Sequence, residues 1–203
     1  MIRKSLLQIY NNLPLLHVTE WSETHPGGTD KETNHSYISS FYENIFEPLR
    51  NKQIKMLEIG IAHAGSTKLW NQYFNNITID GIEWQPFKFN VGDEYFKDND
   101  NLNMFVVDAT DKSSAELFED NSYDIIIDDG SHYLEDQEKT LKLYYDKVKP
   151  GGLYIIEDIA KIQYCDELGK IYKHGKAVDL RTDRPGRDDN IIMYWKKKYD
   201  KKH

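Results

Sequence analysis

The sequence predicts an α/β protein in which helices cover both faces of a single, mostly parallel sheet. Strand-like and helix-like stretches alternate from residue 54 onward, which is the pattern of a parallel sheet wound with helices. An apolar run at residues 125–127, flanked by acids and closed by a glycine, is typical of a strand buried on both faces. The 203 residues are enough for one such domain.

We expect residues 1–52 to form a helical cap or lid on a main domain of residues 53–203. Its beginning favours a short amphipathic helix, because polar residues interrupt the apolar positions that a signal peptide would need. Residues 20–35 are rich in glycine and polar groups, which predicts a loop. Ser36 can cap the helix that follows, whose apolar residues recur at helical spacing as far as Pro48.

The sequence predicts seven strands in the main domain. Strands are expected at residues 55–62, 77–84, 103–108, 123–128 and 152–159, and helices at 66–74, 87–97, 113–120 and 134–148. The two last strand-like runs, 177–181 and 190–196, are joined by a turn-rich segment, which predicts a closing antiparallel hairpin.

Composition narrows the classes of partner. The formal net charge of -8 argues against a surface that follows nucleic-acid phosphates. The single cysteine, Cys165, permits no internal disulfide, and no run approaches the roughly 20 apolar residues of a membrane span. We therefore expect a cytoplasmic protein without nucleic-acid or membrane partners, either monomeric or a homo-oligomer.

Acids cluster where neighbouring strands are expected to end. Asp128, Asp129 and His132 follow one apolar run, and Glu157 and Asp158 follow the next. Ligands of open α/β sheets bind outside the carboxyl ends of the strands, and adjacent carboxylates there are costly unless a cation uses them. The pattern indicates a metal site, although an acidic turn that caps the next helix is the simpler alternative.

A glycine turn follows the first predicted strand in the motif LEIGIAHAGS. Gly60, Gly65 and Ser66 lie where a nucleotide-like ligand would meet the amides at a helix start. Ala62 stands where a dinucleotide motif has its second glycine, which allows close approach of the pyrophosphate. This departure disfavours NAD and favours a ligand without phosphates, such as S-adenosylmethionine.

Side chains at successive strand ends are candidates for contacts with that cofactor. Glu58 would repel phosphate but can receive an ammonium group. Glu83 is placed to accept both ribose hydroxyls, Asp108 can take the adenine amino group, and Trp84 offers a stacking face. Asp128 completes the candidate set, and the alternative is that Glu58, Glu83 and Asp108 are ordinary strand-end acids in solvent.

These motifs, with GGTDK at residues 27–31, His35, Tyr37 and KPGGLYIIEDI, resemble the metal-dependent sugar O-methyltransferases of macrolide and rhamnose-containing glycan pathways and the related cephalosporin hydroxylase family. The resemblance implies a Rossmann-like class I fold that uses S-adenosylmethionine. It also implies cofactor contacts from Glu58, Gly60, Glu83 and Asp108.

The same resemblance implies that Asp129, Glu157 and Asp158 are metal ligands and that His132 is the general base. An oxygen-only site favours Mg²⁺, with Mn²⁺ or Ca²⁺ as alternatives. A sugar hydroxyl is a weak acid, so a cation must stabilise its developing charge while a base removes the proton. His132 suits that task because the ordinary pKa of histidine is about 6.5.

Other interpretations remain open from the sequence. An NAD-linked oxidoreductase is the second enzyme class, and a non-catalytic subunit that retains the cofactor pocket is the alternative outside enzymes. His35 and His63 are expected to lie outside the site. Asp179 and Arg181 could face the substrate or form a surface ion pair.

Overall fold

The computed structural model describes residues 3–13, 28–85 and 92–199. The first elements are α1 (Leu6–Asn11), a π-helical turn (Ile38–Tyr42), α2 (Glu43–Phe46) and a 3₁₀ turn (Glu47–Leu49). The sheet domain then runs β1 (Gln53–Ile59), α3 (Gly65–Tyr73), β2 (Asn76–Glu83), α4 (Gly92–Lys97), β3 (Leu102–Val106), α5 (Lys112–Ala115), β4 (Tyr123–Asp128), α6 (Leu134–Tyr144), β5 (Val148–Ile156), α7 (Tyr164–Ile171), β6 (Lys176–Asp179) and β7 (Ile191–Lys196). The first part of the predicted loop at 20–35 and the start of the helix predicted at 87–97 lie outside the described residues.

The seven strands form one sheet in the order β3-β2-β1-β4-β5-β7-β6. Neighbours among β1 to β5 are parallel, whereas β7 is antiparallel to both β5 and β6. The predicted mostly parallel sheet with a C-terminal antiparallel pair is confirmed. The isoleucines of β4 are fully buried between β1 and β5, as the apolar run indicated.

The register of the central strands brings their ends to one edge. Ile59 of β1 pairs with Asp128 of β4, which pairs with Ile156 of β5. Hydrogen bonds continue one residue further, from Asp129 N to Ile59 O at 2.9 Å and from Glu157 N to Asp128 O at 3.0 Å. The acids that follow β4 and β5 therefore leave the sheet side by side.

The described part of the N-terminal segment belongs to the main core. Tyr37, Tyr42 and Phe46 are fully buried on the face of the sheet that also carries Trp70 of α3. The ring centroids of Tyr42 and Phe46 lie 4.9 and 5.3 Å from that of Trp70. Burying large aromatic side chains dominates core energetics, so this segment contributes directly to folding stability.

Several predicted bounds differ from the structure. The helix predicted at 113–120 is the single turn of α5, and the strand predicted at 152–159 begins earlier, at Val148. Ser36 does not cap a helix, because its hydroxyl donates to Asp183 Oδ2 at 3.3 Å. The helix α7 is not predicted by the sequence analysis, although the buried Cys165 and Leu168 have helical spacing. In the described part of the chain, none of the helices combines the length and apolarity that crossing a membrane requires.

Candidate active site

A cavity of about 530 Å³ lies at the carboxyl ends of the parallel strands. Most of the predicted site residues line it: Gly60, Glu83, Trp84, Asp108, Asp128, Asp129, His132 and Asp158. Of the other predicted residues, Glu58, Gly65, Ser66 and Glu157 are not among its lining residues. The sheet edge expected from topology is therefore the site of the cavity.

At one end of the cavity, two carboxylates face an imidazole. His132 Nε2 lies 3.2 Å from Asp129 Oδ1, and His132 Nδ1 lies 3.6 Å from Asp158 Oδ2. One donor atom from each residue lies within 4.8 Å of the other two. A divalent cation could be held by this group: the carboxylate oxygens suit Mg²⁺, Ca²⁺ or Mn²⁺, whereas the imidazole nitrogen is a ligand typical of transition metals.

Glu157 is close to this group but is held by other partners. The Lys31 ammonium lies 2.7 Å from Asp129 Oδ2 and also donates to Glu157 Oε2. The Tyr42 hydroxyl donates to Glu157 Oε1. Burial alone would lower the pKa of Lys31, but the charges of Asp129 and Glu157 raise it well above its ordinary value, so the side chain is a cation.

Asp158 is held from the opposite side by the N-terminal segment. The Tyr37 hydroxyl donates to Asp158 Oδ1 at 2.6 Å, and His35 Nδ1 lies 3.5 Å from the same oxygen. The His35 and Tyr37 rings stack with centroids 4.5 Å apart. His35 does not line the cavity, as expected, but its imidazole is buried beside Asp158 and is not a surface group.

The electrostatics at this end favour a protonated imidazole in the absence of a further cation. Burial lowers the pKa of His132, but the hydrogen bond with Asp129 and the charge of Asp158 raise it to about 9. Burial raises the pKa of Asp129, but Lys31 and His132 lower it to about 2. His132 has a left-handed backbone (φ 62°), a conformation that is uncommon for a residue other than glycine.

The other end of the cavity is built from turns after β1, β2 and β3. Gly60 has φ 82°, and a Cβ there would lie 2.0 Å from the carbonyl oxygen of Asp129, so only glycine fits. Glu83 accepts backbone hydrogen bonds from Ala62 N and Trp84 N, both at 3.0 Å. Glu83 Oε1 also accepts from Gln85 N at 3.2 Å, so three of the roughly four acceptor sites of this carboxylate are occupied and one is left for a ligand. Trp84 is 64% exposed, which leaves its ring face available.

Three of the predicted cofactor residues do not line the cavity and have close contacts within the protein. Glu58 is fully buried and accepts hydrogen bonds from Thr67 Oγ1 at 2.8 Å and Trp70 Nε1 at 3.2 Å. Ser66 is buried beside it and also hydrogen-bonds this carboxylate. A Cβ on Gly65 would lie 1.9 Å from the carbonyl oxygen of Gly28. These residues tie α3 to the sheet and to the loop before Lys31, below the cavity.

The floor between the two ends is polar. Asp128 accepts hydrogen bonds from the Thr140 hydroxyl and from Gly130 N at 3.3 Å, and burial raises its pKa to about 6. Gln137 donates from Nε2 to the carbonyl oxygen of Glu157 at 3.1 Å, which fixes the orientation of its amide. Among the described residues, its buried Oε1 has no hydrogen-bond partner, and Gln137 lines the cavity.

Asp179 and Arg181 pair with each other on the late hairpin. Arg181 donates to both oxygens of Asp179, at 2.8 and 2.6 Å, and neither residue lines the cavity. Of the two alternatives, a contact with the substrate or a surface ion pair, the structure therefore shows the surface ion pair.

The chain is similar in sequence to known O-methyltransferases. No protein-family model matches the chain. Over 141 residues it is 29% identical to the 8-demethyl-8-alpha-L-rhamnosyl tetracenomycin-C 2'-O-methyltransferase of Streptomyces olivaceus, covering 65% of this chain and 35% of that protein. Over 142 residues it is 30% identical to the 8-demethyl-8-(2-methoxy-alpha-L-rhamnosyl)-tetracenomycin-C 3'-O-methyltransferase of the same organism, covering 66% and 34%. The match thus spans about a third of the length of these curated relatives.

Among solved structures, the chain resembles the MycE methyltransferase of the mycinamycin biosynthetic pathway, which was solved in complex with Mg and SAH. The TM-score is 0.63 with 21% sequence identity, over 100% of this chain and 57% of that one. This likeness establishes the fold. The chain has a class I methyltransferase fold and is related in sequence to sugar O-methyltransferases of tetracenomycin and macrolide pathways.

Proposed function

We propose that this protein transfers a methyl group from S-adenosylmethionine to a hydroxyl of a sugar, in a glycan or a glycosylated small molecule, with the help of a divalent cation. The observation that carries the proposal is one cavity with two unlike ends: turns suited to a phosphate-free nucleoside, and a cluster of carboxylates around an imidazole. The sequence relationship to enzymes that methylate sugar hydroxyls supports the choice of substrate class.

The cofactor end favours S-adenosylmethionine over a dinucleotide. The Glu83 carboxylate accepts from Ala62 N, at the place in the turn where a dinucleotide motif would hold its pyrophosphate. A second negative charge there is unfavourable, whereas ribose hydroxyls can donate to a carboxylate. Trp84 would stack on the adenine, and Asp108, which lines the same end, would accept from its amino group.

The acidic end would hold the cation and the acceptor. Asp129, Glu157 and Asp158 are the proposed ligands, with Mg²⁺ the first choice and Mn²⁺ or Ca²⁺ alternatives. When bound, the cation supplies stabilisation of the negative charge that develops on the acceptor oxygen.

His132 is the proposed base, and it needs an unprotonated ring nitrogen. Its pKa of about 9 results from Asp129 and Asp158, so engaging these carboxylates with another cation lowers that pKa toward the working range. The enzyme would otherwise contribute mainly by positioning the hydroxyl in line with the methyl group.

A glycoside panel with S-adenosylmethionine, analysed by mass spectrometry with and without a chelator, tests the proposal. The expected result is a mass gain of one methyl group that requires both cofactor and metal and that disappears in Asp129→Asn. Binding of NAD in preference to S-adenosylmethionine would indicate an oxidoreductase. Binding of S-adenosylmethionine without turnover across the panel would favour a non-catalytic subunit.

A further inference from the structure

The side chain of Lys31 occupies the position from which a cation would reach the proposed three-carboxylate set. It is 1% exposed, and its ammonium contacts one oxygen each of Asp129 and Glu157. The second oxygen of Glu157 accepts from Tyr42, so both oxygens of this carboxylate have partners. A buried carboxylate with a fixed ammonium has its charge neutralised and is a poor ligand for a second cation.

Two different donor sets follow from the position of Lys31. With the ammonium in place, the atoms that can share one ion are those of Asp129, Asp158 and His132. In that set His132 would be a ligand and would not be available as a base. The three-carboxylate set becomes available only when the ammonium leaves Glu157.

We propose that Lys31 is an internal competitor of the divalent cation, which neutralises Asp129 and Glu157 in the metal-free protein and is displaced when metal recruits Glu157. This inference rests on the proposed function, because it assumes that the cluster binds metal. It assigns Lys31 a positioning role: it sets the affinity of the site and decides whether His132 remains free.

The backbone around Lys31 is anchored, so the proposed displacement is a movement of the side chain alone. The carbonyl oxygen of Lys31 accepts from Tyr37 N at 2.9 Å, which anchors the residue to the helical turn that follows. Gly28 is packed so closely on Gly65 that this part of the loop has little room to shift. The ammonium of a lysine is carried on a flexible four-carbon stem, so it can withdraw from the carboxylates by rotation about the bonds of that stem.

Mn²⁺ titration of the metal-free protein, followed by electron paramagnetic resonance, tests the competition. Lys31→Met should bind Mn²⁺ at least tenfold more tightly than the wild type and should melt at a lower temperature without metal. Lys170→Met is the matched control, because Lys170 forms an exposed ion pair with Glu167, and it should leave Mn²⁺ affinity unchanged. Equal or weaker binding by Lys31→Met would overturn the proposal.

A second measurement on the wild type covers the case in which Lys31→Met does not fold. Amine-reactive labelling, quantified on the peptide that contains Lys31, should increase several-fold on addition of Mn²⁺. Equal labelling of Lys31 with and without Mn²⁺ would contradict displacement of its side chain.

Different results would refute the competitor role of Lys31 and the metal dependence of the proposed function. If the wild type binds Mn²⁺ and Lys31→Met gains nothing, only the competitor role is lost. If Lys31→Met alone binds Mn²⁺, competition is supported. If neither protein binds Mn²⁺, metal dependence itself is refuted.

Discussion

The two ends of the cavity are built in different ways. At the acidic end, Asp129, Glu157 and Asp158 are each held by side chains from the distant N-terminal segment: Lys31, Tyr42, Tyr37 and His35. At the cofactor end, Glu83 and Asp108 are held by amides of their own or nearby turns, such as Ala62 N and Thr110 N. Trp84 at that end is largely exposed.

The two ends of the cavity meet different physical requirements. A charged cluster in a buried place needs rigid partners, because every uncompensated charge there is costly. A nucleoside cradle needs shape and backbone geometry, which local turns supply. The N-terminal segment therefore determines the properties of the acidic end and has few described contacts with the cofactor end.

The largest expected effect lies at the acidic end. His132→Ala should lower turnover by about 10²–10⁴, the range for loss of a general base, while cofactor affinity stays unchanged. The residual rate should rise with pH as hydroxide replaces the imidazole. His174→Ala, at an exposed histidine that does not line the cavity, is the control. Loss of metal binding with an unaltered pH profile would show that His132 is a ligand and that the base lies elsewhere.

The second prediction tests whether the N-terminal segment is part of the core. Phe46→Ala should lower the free energy of unfolding by about 3–5 kcal/mol, because it leaves a cavity beside Trp70 and Phe74. Tyr133→Ala removes an exposed aromatic side chain and should have little effect on chemical denaturation.

Because side chains of the N-terminal segment belong to the core, removing residues 1–52 should abolish folding as well as activity. A truncated protein that begins near Gln53 and unfolds cooperatively would support the interpretation of these residues as a detachable lid.

The third prediction concerns the cofactor end alone. Glu83→Ala should weaken S-adenosylmethionine binding by roughly 1.5–3 kcal/mol, the range for hydrogen bonds to a charged group. Calorimetry measures the affinity, and Glu83→Gln should recover part of it. Metal binding should be unaffected in both variants. Unchanged affinity in Glu83→Ala would remove the assignment to the ribose.

The fourth and smallest effect is a pH dependence of stability in the metal-free protein. The folded-state pKa of His132, about 9, lies above the ordinary value for histidine, so its stabilising contribution is complete below about pH 6.5 and disappears as the pH rises through about 9. NMR titration of the His132 ring should give this raised pKa, and Asp129→Asn should lower it. An ordinary histidine pKa in the wild type would contradict the proposed contact with Asp129 and Asp158.

The sequence predicts the sheet and the edge at which the cavity lies, because both depend on local signals. An apolar run identifies β4, and the residues that follow β1, β2 and β3 fall at one edge by topology. Lys31 and Tyr42 could not be placed in this way. Their contacts with Glu157 join residues more than a hundred positions apart, and Tyr42 has the spacing of an ordinary apolar helix position.

Glu58 shows the opposite limitation. A strand-end acid is equally compatible with a ligand contact and with an internal hydrogen bond, and only the packing of Thr67 and Trp70 against it distinguishes the two. The burial of His35 beside Asp158 could not be predicted for a related reason, because a histidine in a polar loop carries no signal of its burial.

The most direct test of the central claim is a calorimetric titration of S-adenosylmethionine into the wild-type protein, once in excess chelator and once with saturating Mg²⁺. If the two ends of the cavity are separate sites with separate tasks, S-adenosylmethionine binds in both conditions with similar affinity, and NAD binds in neither. Cofactor binding that requires Mg²⁺, or tighter binding of NAD than of S-adenosylmethionine, would contradict the account.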